Sequence, residues 1–242
     1  MVLDEKETHE VTLEYLFESE ADLNDVSLAL EHPEMATILL NDNEIPFIDQ
    51  GYYVDECIRI TPISPLNKGT NRLVLKVLYN QKSSLEPIYL LGNFGVKLIG
   101  NKGVLTSEED KGLGDVTRQG LPFYTGNLNY SFLFESFSDK EYTLQLLDLS
   151  APVASVYVDG KEVGNIAFSP HRLSLGHIQK GQHTITVKLY GNRHNGFGPL
   201  HNANEDFLWV GPAAYRMEGE NYTSSYIIRE WGVKSEPIVY WY

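Results

Sequence analysis

The sequence predicts an all-β protein built of two tandem sandwiches, on three observations. Short segments alternate apolar and polar residues, turn signals recur about every 8–12 residues, and three ordered blocks of the first half return in the second. Leu13-Glu-Tyr-Leu-Phe-Glu-Ser19 returns as Leu128-Asn-Tyr-Ser-Phe-Leu-Phe-Glu-Ser136. Ala36–Ile45 returns as Ala154–Val163, and Leu66–Val77 as Ile178–Leu189. The offsets are 117, 118 and 112, close enough to indicate two copies of one domain.

Taken in chain order, Val11 to Phe17 reads as a half-buried strand, and Leu23 to Glu34 is ambiguous between strand and helix. Asn41-Asp42 sits between aliphatic runs and predicts a hairpin turn. Val54 to Ile60 alternates, so Cys57, the single cysteine, reads as a buried structural thiol; disulfides are excluded. Lys68-Gly69 is a tight turn feeding the strand Arg72–Val77. Gly100 to Gly126 holds six of the twenty glycines and the acidic run Glu108-Glu109-Asp110, which predicts an irregular connection. The second copy repeats the plan with Leu128–Phe134, a strand over Tyr142–Ala151, the turn Asp159-Gly160, and Lys180-Gly181 feeding His183–Leu189. The predicted organisation is a first sandwich over residues 1–98, a glycine-rich acidic linker over 99–117, and a second sandwich over 118–242. Glu86-Pro-Ile-Tyr89 follows the first copy's last common strand closely, whereas Glu236-Pro-Ile-Val-Tyr240 lies 44 residues beyond Asn192. If those ends correspond, the second copy carries an insertion at about residues 193–235.

Composition narrows the function. Hydrophobic residues make up 42% and charged residues 21%, an ordinary globular balance. The net charge of −14 argues against nucleic acid and anionic membranes, since no basic face is available to displace counterions. No apolar run reaches the roughly 20 residues of a membrane span, and the polar start MVLDEKETHE shows no signal peptide. A complete chain with these features is expected in the cytoplasm; a fragment of a longer protein carries no such expectation.

The strand-turn pattern of both copies, Leu39–Ile45 and Tyr157–Val163, with the later Leu66-x-Lys-Gly-x-Asn-x-Leu-x-Leu-x-Val77 block, resembles the galactose-binding-like jelly roll of family 2 glycoside hydrolases. Gly120–Gly126 together with Arg193–His201 resembles the C-terminal accessory region of large bacterial glycoside hydrolases similar to α-L-rhamnosidases. The resemblance implies two jelly-roll sandwiches serving a carbohydrate-binding or accessory role beside a catalytic glycoside hydrolase domain. It also implies a bacterial setting and allows a structural calcium ion on loop oxygens. It implies no catalytic residue, because 242 residues of this pattern leave no room for a (β/α)₈ barrel of about 250 residues.

The residues themselves leave three functions open: a non-catalytic glycan-binding module, a docking scaffold without a sugar site, and a small stand-alone glycosidase. A glycosidase needs two carboxylates about 5–10 Å apart, and 33 acids supply such pairs by accident. Glu108-Glu109-Asp110 reads as a solvated loop, and Glu205-Asp206 beside Phe207-Leu-Trp209 suits hydroxyl recognition better than acid–base chemistry. His194 and His201 share a loop with Asn195, Asn202, Glu205 and Asp206, but their spacing fits no zinc pattern, and no other cofactor is indicated. The insertion is rich in aromatics, and a pyranose offers a C–H face to such rings and hydroxyls to planar polar groups. The expected sugar contacts are Trp209 and Trp231 for stacking, with Arg193, His194, Asn195, His201 and Asp206 for hydroxyls. The alternative is that these rings bury the insertion and that Arg193, His194 and Asn195 tie it down. The first copy, with its short connection, is expected to have little material for a pocket.

Overall fold

The computed structural model describes residues 8–63, 65–80, 83, 86–204 and 210–241. It is an all-β protein that divides into two compact units, Met1–Glu109 and Asp110–Tyr242.

The first unit contains β1 (His9–Ser19), β2 (Val26–Glu31), β3 (Ala36–Leu40), β4 (Asn43–Ile45) and β5 (Tyr52–Tyr53). They are followed by β6 (Asp55–Pro62), β7 (Gly69–Tyr79), β8 (Tyr89–Gly92), β9 (Phe94–Ile99) and β10 (Lys102–Ser107). One sheet has the order β4-β3-β7-β1-β10-β9 and the other β5-β6-β2-β8. Alternation along each strand sends one set of side chains inward, where Ile38, Leu40, Leu73, Leu75 and Leu105 of the first sheet meet Val26, Leu28 and Leu30 of the second. The ambiguous Leu23–Glu34 segment is strand β2 leading into a short 3-10 turn at Pro33–Met35. The expectation of an irregular connection from Gly100 is corrected: Gly100 (φ 62°) turns β9 into β10, and β10 pairs parallel to β1 through Glu18–Val104 and Ser19–Leu105. Of the six glycines that suggested a linker, Gly100 turns this hairpin and Gly103 lies within β10.

The second unit contains β11 (Leu128–Ser136), β12 (Lys140–Gln145), β13 (Leu149–Ser150), β14 (Ala154–Val158) and β15 (Lys161–Ile166). Then come β16 (Arg172–Ile178), β17 (Gly181–Leu189), the single helical turn α1 (Arg193–Phe197), β18 (Gly232–Val233) and β19 (Ile238–Trp241). Its sheets have the orders β11-β17-β14-β15 and β16-β12-β19, with β13-β18 as a separate pair. Tyr142, Leu144, Val156, Ile185, Val187 and Leu189 form its core. Residues 112–117, expected in the linker, belong to this unit. Val116 is fully buried in its core, and Gly114 and Val116 donate to the carbonyls of Val233 (2.8 Å) and Trp231 (2.9 Å).

Seven strands of each unit follow the same order, while β5, β9 and β10 of the first and β13 and β18 of the second have no counterpart. The order β4-β3-β7-β1 has its counterpart in β15-β14-β17-β11, and β6-β2-β8 in β16-β12-β19. The segment after Glu86-Pro lies antiparallel beside β2, and the segment after Glu236-Pro lies antiparallel beside β12. A side-chain circuit also recurs. Asn41 (φ 51°) accepts from the Arg72 N–H through Oδ1 at 2.9 Å and donates through Nδ2 to Asn71, whose own amide donates to the Asn67 carbonyl at 2.7 Å. Asp159 (φ 50°) accepts from the Thr184 N–H at 2.9 Å and faces His183 Nδ1 at 2.7 Å, while His183 Nε2 faces the Gln179 carbonyl at 2.9 Å. Asp22 and Asp139 likewise accept from the backbone N–H of Lys68 and Lys180.

The circuit is neutral in the first unit and ionisable in the second. Both ring nitrogens of His183 face acceptors, so the geometry calls for the imidazolium. The Asp159 carboxylate, then the Gln179 carbonyl, hold His183 above its ordinary value of 6.5. His183, then the Thr184 N–H, hold Asp159 below its ordinary 3.8. The histidine's contribution is complete below about pH 6.5 and is lost as pH rises through its raised folded value. The aspartate's contribution is present above about pH 3.8 and is lost on acidification through its lowered folded value. The second unit is therefore expected to lose roughly 2 °C in melting temperature between about pH 6 and 8, a small effect because Asp159 is half exposed. Calorimetry of the Asp159→Asn/His183→Asn double variant, which copies the first unit's circuit, should show that this slope has vanished.

Candidate functional site

The insertion between β17 and β19 is held by side chains bonded to backbone. Asn192 caps α1, its Oδ1 accepting from the His194 N–H at 2.8 Å, and Gly198 closes the turn by donating to the His194 carbonyl at 2.7 Å. Asn195, 1% exposed, spends its whole amide on one residue: Nδ2 donates to the Arg229 carbonyl (2.8 Å) and Oδ1 accepts from the Arg229 N–H (3.0 Å). Asn202, also buried, donates to the Ala214 carbonyl at 2.7 Å. Backbone bonds from Thr223 to His201 and from Ile227 to Leu200 lace the returning strand of the loop to the outgoing one. The segment Gly120–Gly126 packs against this assembly. A Cβ on Gly191 would lie 2.0 Å from the Thr125 carbonyl oxygen, so only glycine fits there.

The residues expected to contact sugar fall into distinct environments. Trp231 is corrected from surface platform to core: it is 1% exposed, its ring stacks on Tyr124 at 5.9 Å, and its backbone N–H donates to Asp115 at 3.2 Å. The pairing of β18 with β13 (Leu149–Val233 and Ser150–Gly232) draws the adjacent Trp231 inward. Asn195 is likewise corrected, because its amide is committed to Arg229. Asp206 and Trp209 lie outside the described residues. Arg193 is exposed, with its guanidinium 5.8 Å from the Phe197 ring centre, and His194 is half-buried beneath it in the same turn. His201 is half-buried, 4.7 Å from the Tyr226 ring and 6.3 Å from Tyr222, while Phe123 meets Tyr226 edge-on at 5.1 Å.

Two ring surfaces therefore remain open on the insertion. One joins Arg193, Phe197 and Tyr215, whose hydroxyl donates to the Phe197 carbonyl at 2.5 Å; the other joins His201, Tyr222 and Tyr226. Tyr215 is 52% exposed and Tyr222 42%. A ring fixed at its hydroxyl or by a neighbouring ring, beside a cation or an imidazole, can stack on a C–H face and donate to hydroxyls. Tyr215 and Tyr222 stand in the sequence among seven insertion aromatics, and nothing in the local pattern separates these exposed rings from the buried Trp231.

The first unit also holds a cavity, contrary to expectation. It is an open depression of about 400 Å³ lined by His32, Glu34, Phe47 and Asp49 together with Glu56 and Arg59 of β6. Cys57 lines it too, and is exposed rather than buried. The expected alternation is not seen in β6: Asp55, Glu56 and Cys57 are all exposed, Ile58 to Ile60 are half-buried, and no β6 side chain belongs to the buried apolar cluster. The thiol is pushed up to about 11, first by its hydrogen bond to Asp55 (3.1 Å) and also by Glu31 (3.4 Å). Cys57 is therefore expected to react with iodoacetamide at pH 8 at least tenfold more slowly than a free cysteine thiol despite its exposure, and Asp55→Asn should accelerate it. Stopped alkylation followed by mass analysis gives both rates. Among the described residues, no group of three or more His, Cys, Asp or Glu side chains is placed to hold a metal ion.

No protein-family model matches the chain, and no curated protein matches it. Among solved structures, it is similar to a rhamnosidase from Novosphingobium sp. PP1Y, at 16% identity and a TM-score of 0.40; the match covers 94% of this chain and 22% of that one. It is also similar to the Pleurotus ostreatus lectin in its apo form, at 7% identity and a TM-score of 0.25 over 76% of this chain and 68% of that one. The same lectin in complex with GalNAc gives 7% identity and 0.26 over 76% and 69%. Matches at this distance assign the chain to no family.

Proposed function

We propose that this chain is a non-catalytic carbohydrate-binding module, made of two copies of one jelly-roll sandwich and serving a glycoside hydrolase. The reading rests chiefly on one observation: the second unit inserts an irregular segment, fixed by Asn195 and Asn202, that displays Tyr215 and Tyr222 at its surface beside Arg193 and His201. In the first unit only residues 80–88 separate β7 from β8. Sandwiches carry their variable chemistry on such insertions because strand positions are committed to packing. The matching strand orders and hydrogen-bond circuits support duplication. A docking scaffold is the second reading, favoured by Met217, which is 89% exposed on the same insertion.

A glycan array followed by titration tests the choice. Tyr215→Ala and Tyr222→Ala should keep the wild-type melting temperature, and one of them should weaken the best glycan by about ten- to a hundredfold, the worth of a stacking ring. Unchanged affinity in both variants, or an array without a binder, would favour the docking scaffold.

A further inference from the structure

The depression in the first unit combines three features that suit a small ligand. Phe47, half-buried, contributes an aromatic ring to its lining. Arg59 is fixed in place, one terminal nitrogen paired with Asp49 and the other 3.5 Å from the Glu56 carbonyl. Asp49 is itself set by the Gly51 N–H, which donates to it at 3.0 Å across a turn where Gly51 has φ 105°. A guanidinium and carboxylate positioned in this way present donors and acceptors side by side, as neighbouring ring hydroxyls require.

The charge around the depression is unbalanced. Glu34, Asp49 and Glu56 line it against the guanidinium of Arg59 and the imidazole of His32, whose Nδ1 lies 3.3 Å from Glu34, and Glu31 and Asp55 stand beside Cys57. A neutral polyol would leave the excess carboxylates uncompensated, and an anion would be repelled, so a cation is favoured. A peptide strand carrying that cation fits poorly, because the sheet edge here is β5, only two residues long, and offers almost no ladder to extend.

We propose that this depression binds an amino sugar with a free ammonium group, its C–H face on Phe47, its hydroxyls shared between Asp49 and Arg59, and its ammonium set towards Glu56. The proposal rests on the carbohydrate reading above but places a site in the other unit and names its sugar class.

The full ¹⁵N-labelled chain titrated at pH 6 with a glucosamine tetramer provides the test. Saturable amide shifts are expected at Phe47–Gly51 and Cys57–Arg59, weakened about tenfold in Glu56→Gln and at least as much in Phe47→Ala. The N-acetylated tetramer, lacking the ammonium, should bind at least tenfold more weakly. The wild-type shift map needs no variant, so a variant that fails to fold does not remove the test. Shifts confined to other residues, equal binding of the acetylated tetramer, or saturation by a lysine-rich peptide but not by the sugar would overturn the proposal. If neutral glycans instead shift the Arg193–Tyr226 region while this depression is unmoved, the inference fails and the carbohydrate reading stands; if no glycan binds anywhere, both fail.

Discussion

Trp231→Ala is expected to destabilise the second unit by about 3–5 kcal/mol, enough to unfold a module of ordinary stability near body temperature. The indole is 1% exposed within the cluster of Tyr142, Leu144, Val187 and Val233, and it stacks on Tyr124. Its removal leaves a cavity at the point where the backbone of residues 114–116 is bonded to Trp231 and Val233. Chemical denaturation followed by fluorescence measures the loss. The first unit, whose core is a separate cluster, should unfold at its wild-type denaturant concentration. A variant of wild-type stability with weakened sugar binding would return Trp231 to the role of surface platform.

Asn195→Ala is the second large effect, at about 1–3 kcal/mol, because one substitution removes both partners of the Arg229 backbone. The damage should be local. Hydrogen exchange is expected to accelerate across residues 193–204 and 221–231 while β14 and β17 keep their protection. Asn195→Asp should recover only part of the loss, since a carboxylate can accept from the Arg229 N–H but cannot donate to its carbonyl. If the variant retained wild-type exchange and lost only ligand affinity, the amide would have to be a contact residue.

These two residues also show where sequence reasoning stops. The sandwich class was legible because alternation and turn chemistry are local: Asn41-Asp42 and Asp159-Gly160 do form the tight turns β3–β4 and β14–β15. Burial is not local. An aromatic-rich insertion reads the same whether its rings face water or the core, and Trp231 was drawn inward by the pairing of Gly232 and Val233 with Leu149 and Ser150. Cys57 shows the reverse case, an expected core position that is exposed and lines a depression. That depression was illegible altogether, since Glu34, the Phe47–Asp49 stretch and Arg59 come from separate segments and none belongs to a recognisable motif. The glycines of 100–126 misled for a related reason. Composition cannot distinguish a linker from a hairpin turn such as Gly100, or from the segment whose Thr125 packs against Gly191.

Calorimetric titration of the best array glycan into the full chain, with the sugar recovered afterwards and sized by chromatography, decides whether the chain binds glycan without transforming it. Saturable heat with the glycan recovered intact after prolonged incubation is the expected result. No saturable heat, or shortened glycan whose release disappears on neutralising a single carboxylate, would contradict it.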